Sequence, residues 1–277
     1  MQNLEIENKF LLNENKKEIK KIWLENFLDD NENTVDLFLE NVFKNKKGVG
    51  TFFNNKLIAM ILFLNSKIVF KGEKTDSVYF YAVCTDEKYR NQGVMRALFS
   101  FAKEKAKEQG AEICFLVPEN ESLFKMYEKF SFKRNITYTK KRVLRNECDI
   151  KNTIYKTTGF CYNDYLKFRL QESEKSPVVI LDENEFNFIF DKTRDDVSIL
   201  FLKTGYAIFE KNEAKISVSE ICGNESDILN YLFNTYLDVT EIEISKRSEC
   251  ECTDFGMTYS FNNTNNFNNI YFGMPYR

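Results

Sequence analysis

The chain has 277 residues, 43% of them hydrophobic, a net charge of −3, seven cysteines and no histidine. That length allows one large domain or two of ordinary size, and 27 Phe and 14 Tyr supply a sizeable aromatic core. The missing histidine excludes Ser-His-Asp and Cys-His pairs, two-His metal sites and imidazole bases, leaving proton transfer to carboxylates, Tyr, Lys, Cys, a terminus or water.

No apolar run approaches the ~18 residues that cross a bilayer. The start, "MQNLEIENKFLL", lacks the basic-then-apolar order of a signal peptide, so a cytoplasmic protein with no membrane association is expected. The acidic balance offers no basic surface for nucleic acid. An odd cysteine count with irregular spacing fits reduced thiols, and the Cys250–Cys252 pair is too weak a signal to expect a metal.

In chain order, "NLEIENKFLL" reads as a strand. Lys16 to Leu28 places Ile19, Ile22, Trp23 and Phe27 at helical spacing, with core packing the expected role of Trp23 and the lining of a substrate pocket the alternative. Thr34 to Phe43 reads as a second helix with Thr34 as N-cap. "GVGTFF" and "KLIAMILFL" flank the hairpin signal Asn54-Asn55. Residues 78–85 form a strand, and an amphipathic helix starts near Gly93, its apolar stripe carried by Val94, Leu98, Phe101 and Ala102 and its stop by Gly110. "AEICFLVP" reads as a buried strand, Asn120 caps the helix "ESLFKMYEKF", and "SFKRNITYTKKRVL" is one or two strands. After a polar passage beyond residue 150 the order returns: a strand pair turning at Lys211-Asn212, a helix in "GNESDILNYLFNTYL", and a strand in "VTEIEIS". This order predicts an α/β fold with a mixed sheet, as two domains, 1–147 and 148–277.

The chemistry concentrates in "YAVCTDEKYRNQGVMRALF". A strand feeds a basic turn and then a helix, whose first-turn amides have no internal partner and whose dipole places roughly half a positive charge there. Gly93 lets an anion approach the backbone, while Lys88, Arg90 and Arg96 add full charges; the ligand implied carries a phosphate or pyrophosphate. The nucleoside-triphosphate loop and the dinucleotide fingerprint are both absent.

Arg90-x-x-Gly93-x-Met95 resembles the Gln/Arg-x-x-Gly-x-Gly/Ala loop of the GCN5-related N-acetyltransferases (GNAT), and the longer Thr85–Leu98 pattern resembles the Eis-like branch, whose members carry a second, non-catalytic acetyltransferase-like domain. The resemblance implies a GNAT fold in residues 1–147, a degenerate GNAT-like domain in 148–277, and acetyl-CoA as co-substrate. It implies that Asn91, Gln92, Gly93, Val94, Met95 and Arg96, with Lys88 and Arg90, surround the pyrophosphate. Val83 and Thr85 stand where the family's backbone pairs with the pantetheine arm. "NESLFKMYEKFSF" resembles the segment that supplies Asn120 and the tyrosine, here Tyr127, that protonates the departing thiolate; Ser131 replaces its usual Gly. Leu123, Tyr127 and Phe130 also share one helical face, which taken alone reads as core. The carboxylate of the last residue, Arg277, is the base the resemblance implies. The function expected is direct acetyl transfer to a primary amine of a small molecule, with a non-catalytic acyl-CoA-binding module as the alternative; a homo-oligomer is compatible with either. The turn "CGNES" lacks a basic residue, and no second coenzyme site is expected there.

Overall fold

The computed structural model describes residues 6–151, 156–157, 159–193, 197–246, 252–262 and 267–273. In the first half, β1 (Ile6–Phe10) leads to α1 (Lys16–Asn26), α2 (Glu32–Asn41), β2 (Gly48–Phe53), β3 (Lys56–Phe70) and β4 (Glu73–Thr85). Then follow α3 (Val94–Glu108), β5 (Ile113–Leu116), α4 (Glu121–Glu128) and β6 (Lys133–Leu144). In the second half come α5 (Tyr162–Ser173), β7 (Val178–Leu181), α6 (Glu183–Thr193), β8 (Ser198–Leu202), β9 (Gly205–Asn212), β10 (Lys215–Gly223), α7 (Glu225–Thr235), β11 (Glu241–Lys246) and β12 (Thr253–Ser260). The fold is α/β with a mixed sheet, as the alternation of patterns predicts.

Local chemistry sets most element starts. Asn31, rather than Thr34, caps α2: its Oδ1 accepts the Thr34 amide at 2.9 Å, which moves the helix start forward to Glu32. Asn120 caps α4 and Asn224 caps α7 in the same way. The run from Leu57 does not break at Asn65–Lys67. It continues as one strand of 15 residues because β4 pairs with it from Ala59 to Phe70. In the second half the hairpin turn lies at Glu213-Ala214 rather than Lys211-Asn212, and a further turn divides "SILFLKTGYAIFEK" into β8 and β9.

The strands join in the order β1-β2-β3-β4-β5-β12-β6-β11-β10-β9-β8, with β7 on β3. β6 is shared: Lys133–Tyr138 pair with β12, and Thr139–Leu144 with β11. A boundary at 147/148 divides the chain but not the sheet, since β7 and β12, from beyond it, pair with β3, β5 and β6. One face of the first half's sheet packs on α3 and α4 through Phe63, Phe80, Phe99 and Tyr127. The opposite face packs on α1, α2, α5 and α6, and this core runs continuously into the second half through Tyr165, Phe168, Tyr206 and Phe272. Trp23 lies in it, fully buried, its Nε1 donating to Asp30 Oδ2 at 2.8 Å and its ring 5.5 Å from that of Tyr81. No helix among the described residues is long and apolar enough to cross a membrane.

Candidate active site

β4 and β5 run parallel yet pair only at Ser77–Ile113, Val78–Cys114 and Tyr79–Phe115. Beyond Tyr79 they part, while β4 continues along β3 to Thr85. The β3–β4 register shifts between Met60 and Leu62, and Ala82, in the extra length of β4, has φ +47°. A non-glycine residue there costs on the order of 1 kcal/mol, and bulges of this kind re-aim a strand beside a site. The two strands form a V whose mouth lies at their carboxyl ends, where open α/β sheets hold ligands. Val83 is half-buried on the α3 side and Thr85 is buried.

The turn after β4 is held from outside. Asp86 Oδ1 accepts the Lys88 amide at 3.1 Å, and Oδ2 meets Lys56 Nζ at 2.7 Å; the bond from Lys56 holds the Asp86 carboxyl below its ordinary value. Arg90 does not hang freely over the turn: its Nε donates to the Thr85 carbonyl at 3.1 Å and its Nη2 to Asn26 Oδ1 at 2.8 Å. Gln92 Nε2 donates to the Lys88 carbonyl at 2.8 Å. These bonds stiffen a segment in which Asn91 (φ +62°) and Gly93 (φ +82°) are both left-handed. Lys88, Arg90, Asn91, Gln92, Gly93 and Arg96 are exposed around the turn, whereas Val94 is buried and Met95 half-buried, so those two present backbone and not side chain.

Among the described residues no acceptor meets the amides of Asn91 to Arg96. A Cβ added to Gly93 would find nothing within 4 Å. Unpaired amides, a helix N-terminus and open space together fit the pyrophosphate of a coenzyme. The turn before α7 is the contrasting case. Gly223 is left-handed at φ +93°, but a Cβ there would lie 2.3 Å from the Thr204 carbonyl, and Asn224 N already donates to that oxygen at 2.8 Å. That concavity is filled by the protein itself.

Tyr127, on α4, lies in the core on the α3 side of the sheet. It is 5% exposed, with its ring 5.4 Å from Phe99 and 6.3 Å from Phe132. Burial pushes its phenol well above the usual value, and the neighbouring Cys84 thiol adds to the rise, so the proton stays on the oxygen at physiological pH. Asn120, four residues after β5, fixes where α4 begins, its Oδ1 accepting the Leu123 amide at 3.1 Å. Arg134 braces the helix from β6 through Glu121 at 2.8 Å and Glu128 at 2.8 Å. Ser131 stands at φ +67°, a left-handed position where glycine is the unstrained residue. Arg277 lies outside the described residues; the tail is described as far as Gly273.

Sequence reasoning missed Asn26, Asp86 and Ala82. Asp86 carried a signal, an Asp opening a turn with a backbone amide two residues on. The other two carried none, because their roles come from pairing across the fold. A separate polar depression of about 390 Å³, lined by Lys47, Asn65, Asp76, Gln109 and Asp182, lies at the other end of β4.

The sheet, its splayed parallel pair and the open turn define an α/β protein with unpaired amides at the N-terminus of α3 beside the parting of β4 and β5. Residues 9–134 match the family model described as an acetyltransferase (GNAT) domain. No curated protein sequence matches the chain. Among solved structures it is similar to a GCN5-related N-acetyltransferase from Kribbella flavida, with 12% identity, a TM-score of 0.72, and coverage of 93% of this chain and 71% of that one. It is similar to a GCN5-related N-acetyltransferase from Anabaena variabilis, with 13% identity, a TM-score of 0.74, and coverage of 93% and 73%. It is also similar to Eis1 from Mycobacterium abscessus, with 13% identity, a TM-score of 0.68, and coverage of 92% and 73%. At such identities these likenesses speak to the fold, and they extend over both halves of the chain. By that match residues 9–134, 126 of the chain's 277 residues, are a GNAT acetyltransferase domain.

Proposed function

We propose that the protein moves the acetyl group of acetyl-CoA directly to a primary amine of a small molecule, without a covalent enzyme intermediate. The observation that carries this reading is the open, left-handed turn at Gly93 set beside the mouth of the β4–β5 V. In this reading the amides of Asn91 to Arg96 hold the pyrophosphate, and Lys88 and Arg96 add charge at its rim. Arg90 keeps the turn in place through Thr85 and Asn26. The edge of β4 around Val83 and Thr85 receives the pantetheine arm, bringing the thioester to the parting of the strands. Backbone amides there polarise the carbonyl as an oxyanion site does. Asn120 sets α4 so that Tyr127 faces the sulfur. As the amine nitrogen bonds to the acetyl carbon and the C–S bond breaks, the thiolate takes the Tyr127 proton, and the carboxylate of Arg277 receives the proton the amine loses. Among the described residues the nearby Cys84 offers no activated nucleophile: it is buried and its thiol is pushed far above the usual value.

The test is release of coenzyme A thiol from acetyl-CoA across a panel of small amines, polyamines and aminoglycosides among them, with lysine-bearing peptides alongside. Tyr127→Phe should lower kcat by roughly 10² to 10⁴, the range a positioned acid supplies, with acetyl-CoA binding retained. Equal turnover by Tyr127→Phe removes that residue from the chemistry, and release with peptides alone moves the substrate class.

A further inference from the structure

The second half contains a buried charge that the transfer reaction as drawn does not use. Arg169 on α5 and Glu220 on β10 are both 0% exposed, and Arg169 Nη2 lies 2.9 Å from Glu220 Oε1. Glu220 is turned inward by a register shift between Val218 and Glu220, and Tyr206 donates its hydroxyl to it. Arg169 Nε and Nη1 have no hydrogen-bond partner among the described residues. As a means of stability this is a poor arrangement, because a well-packed apolar pair would serve as well or better. An apolar pair, however, has no donor.

What Arg169 donates to is the C-terminal tail. Its Nη2 gives a hydrogen bond to the Phe272 carbonyl, and its guanidinium sits 5.0 Å over the Tyr271 ring. The backbone of Gly273, at φ +58°, passes so close that an added Cβ would stand 2.7 Å from Nη2 and 2.9 Å from Glu220. Three successive tail residues therefore meet one buried pair. The same tail is threaded between β6 of the first half and β7: Ile270 bridges to Ile136, Tyr271 to Val178, and the Tyr271 carbonyl accepts the Val179 amide at 3.0 Å. Phe272 then places its ring 5.6 Å from Tyr79 and 5.1 Å from Phe115, the last residues that pair before β4 and β5 part. The tail is thus pinned at the root of the V by a charge pair that belongs to the other half of the molecule.

We infer that Arg169 and Glu220 are positioning residues for the transfer reaction, a clamp by which the second half seats the C-terminal tail at the donor cleft. The turnover arm of the test rests on the reading that the chain's last carboxylate is the base; the digestion arm does not. Digestion of the full chain by a carboxypeptidase that accepts proline, followed by mass spectrometry, should remove only residues beyond Gly273 in the wild type. In Arg169→Met it should run through Phe272 to Ile270. Because Arg169→Met can weaken the whole fold, Gly273→Ala is the second variant: it leaves the pair intact, clashes with it, and should release the tail in the same way at an unchanged circular-dichroism spectrum. In turnover, both variants should lower kcat roughly a hundredfold, the cost of misplacing a reacting group by about 1 Å, with KM for acetyl-CoA unchanged. Neither should add to the loss caused by deleting residues 274–277, and Arg169→Lys should recover part of the rate.

Digestion that stops at the same residue in wild type and Gly273→Ala overturns the clamp, as does a rate loss that adds to that of the deletion. If the deletion turns over like wild type while the variants still open the tail, the clamp stands and the terminal carboxylate is no longer the base.

Discussion

Gly93→Ala separates two reasons for a glycine at the start of α3. The site has φ +82°, and an added Cβ meets nothing within 4 Å. Packing therefore does not demand glycine; backbone conformation and ligand approach do. The left-handed strain on alanine is about 1–2 kcal/mol, which in a chain of this size lowers Tm by roughly 2–8 °C. The second effect is on the co-substrate. A methyl group in the open concavity holds the pyrophosphate off the amides; losing one charge-assisted hydrogen bond at about 1.5–3 kcal/mol raises the acetyl-CoA Kd roughly 10- to 150-fold. Gly110→Ala is the matched control, because Gly110 is equally left-handed at φ +94° and equally open, but lies at the other end of α3. Calorimetric titration with acetyl-CoA and thermal melts of both variants should show similar losses of stability and a loss of affinity in Gly93→Ala alone. Wild-type affinity in Gly93→Ala, or the same loss in Gly110→Ala, would refute the reasoning that this turn binds the coenzyme.

The reverse substitution, Ser131→Gly, relieves strain at φ +67° and should raise stability by about 1 kcal/mol, seen as a Tm higher by roughly 2–4 °C; an unchanged or lower Tm counts against that strain. Arg90→Ala removes the bonds to Thr85 and Asn26 and should raise KM for acetyl-CoA about tenfold. Asn26→Ala should do part of the same, and the double variant should fall short of the sum, because both act through one contact. Asp86 supplies the pH test. Its folded value is depressed by Lys56, so its contribution to stability is complete above about pH 4, its unfolded range, and is lost as pH falls through the lower folded value. The Tm gap between wild type and Asp86→Asn should be constant from pH 7 to 5 and close below pH 4; a gap that widens on acidification contradicts the assigned pair.

How far the sequence reads depends on the range of the interactions involved. The helix stripe of Val94, Leu98 and Ala102, the stop at Gly110 and the Asn120 cap are contacts between residues a few positions apart, so the chain states them directly. The unpaired amides of the Arg90–Gly93 turn are of the same kind, a property of one helix end. The helix α5 is hard to read in the sequence because its inner face mixes Tyr165 and Phe168 with Arg169 and Ser173; Arg169 is buried because Glu220 and the Phe272 carbonyl meet it from β10 and the tail. The 13-residue strand β4 read as strand only from residue 78, since its first residues, Glu73 to Asp76, are polar and are held extended by β3.

The sequence by itself determined the α/β alternation, the open glycine turn before α3 and the tyrosine helix that follows β5, since each is encoded within a dozen neighbouring residues. Only the tertiary structure decided that β4 and β5 part after Tyr79, that β12 returns to lie between β5 and β6, and that a buried arginine in the second half holds the tail against the first. Those features arise from strand register and charge burial between distant segments, as with Leu116 in β5 and Met257 in β12, 141 residues apart. Their free energy exists only once the partners have met, so no local pattern records it.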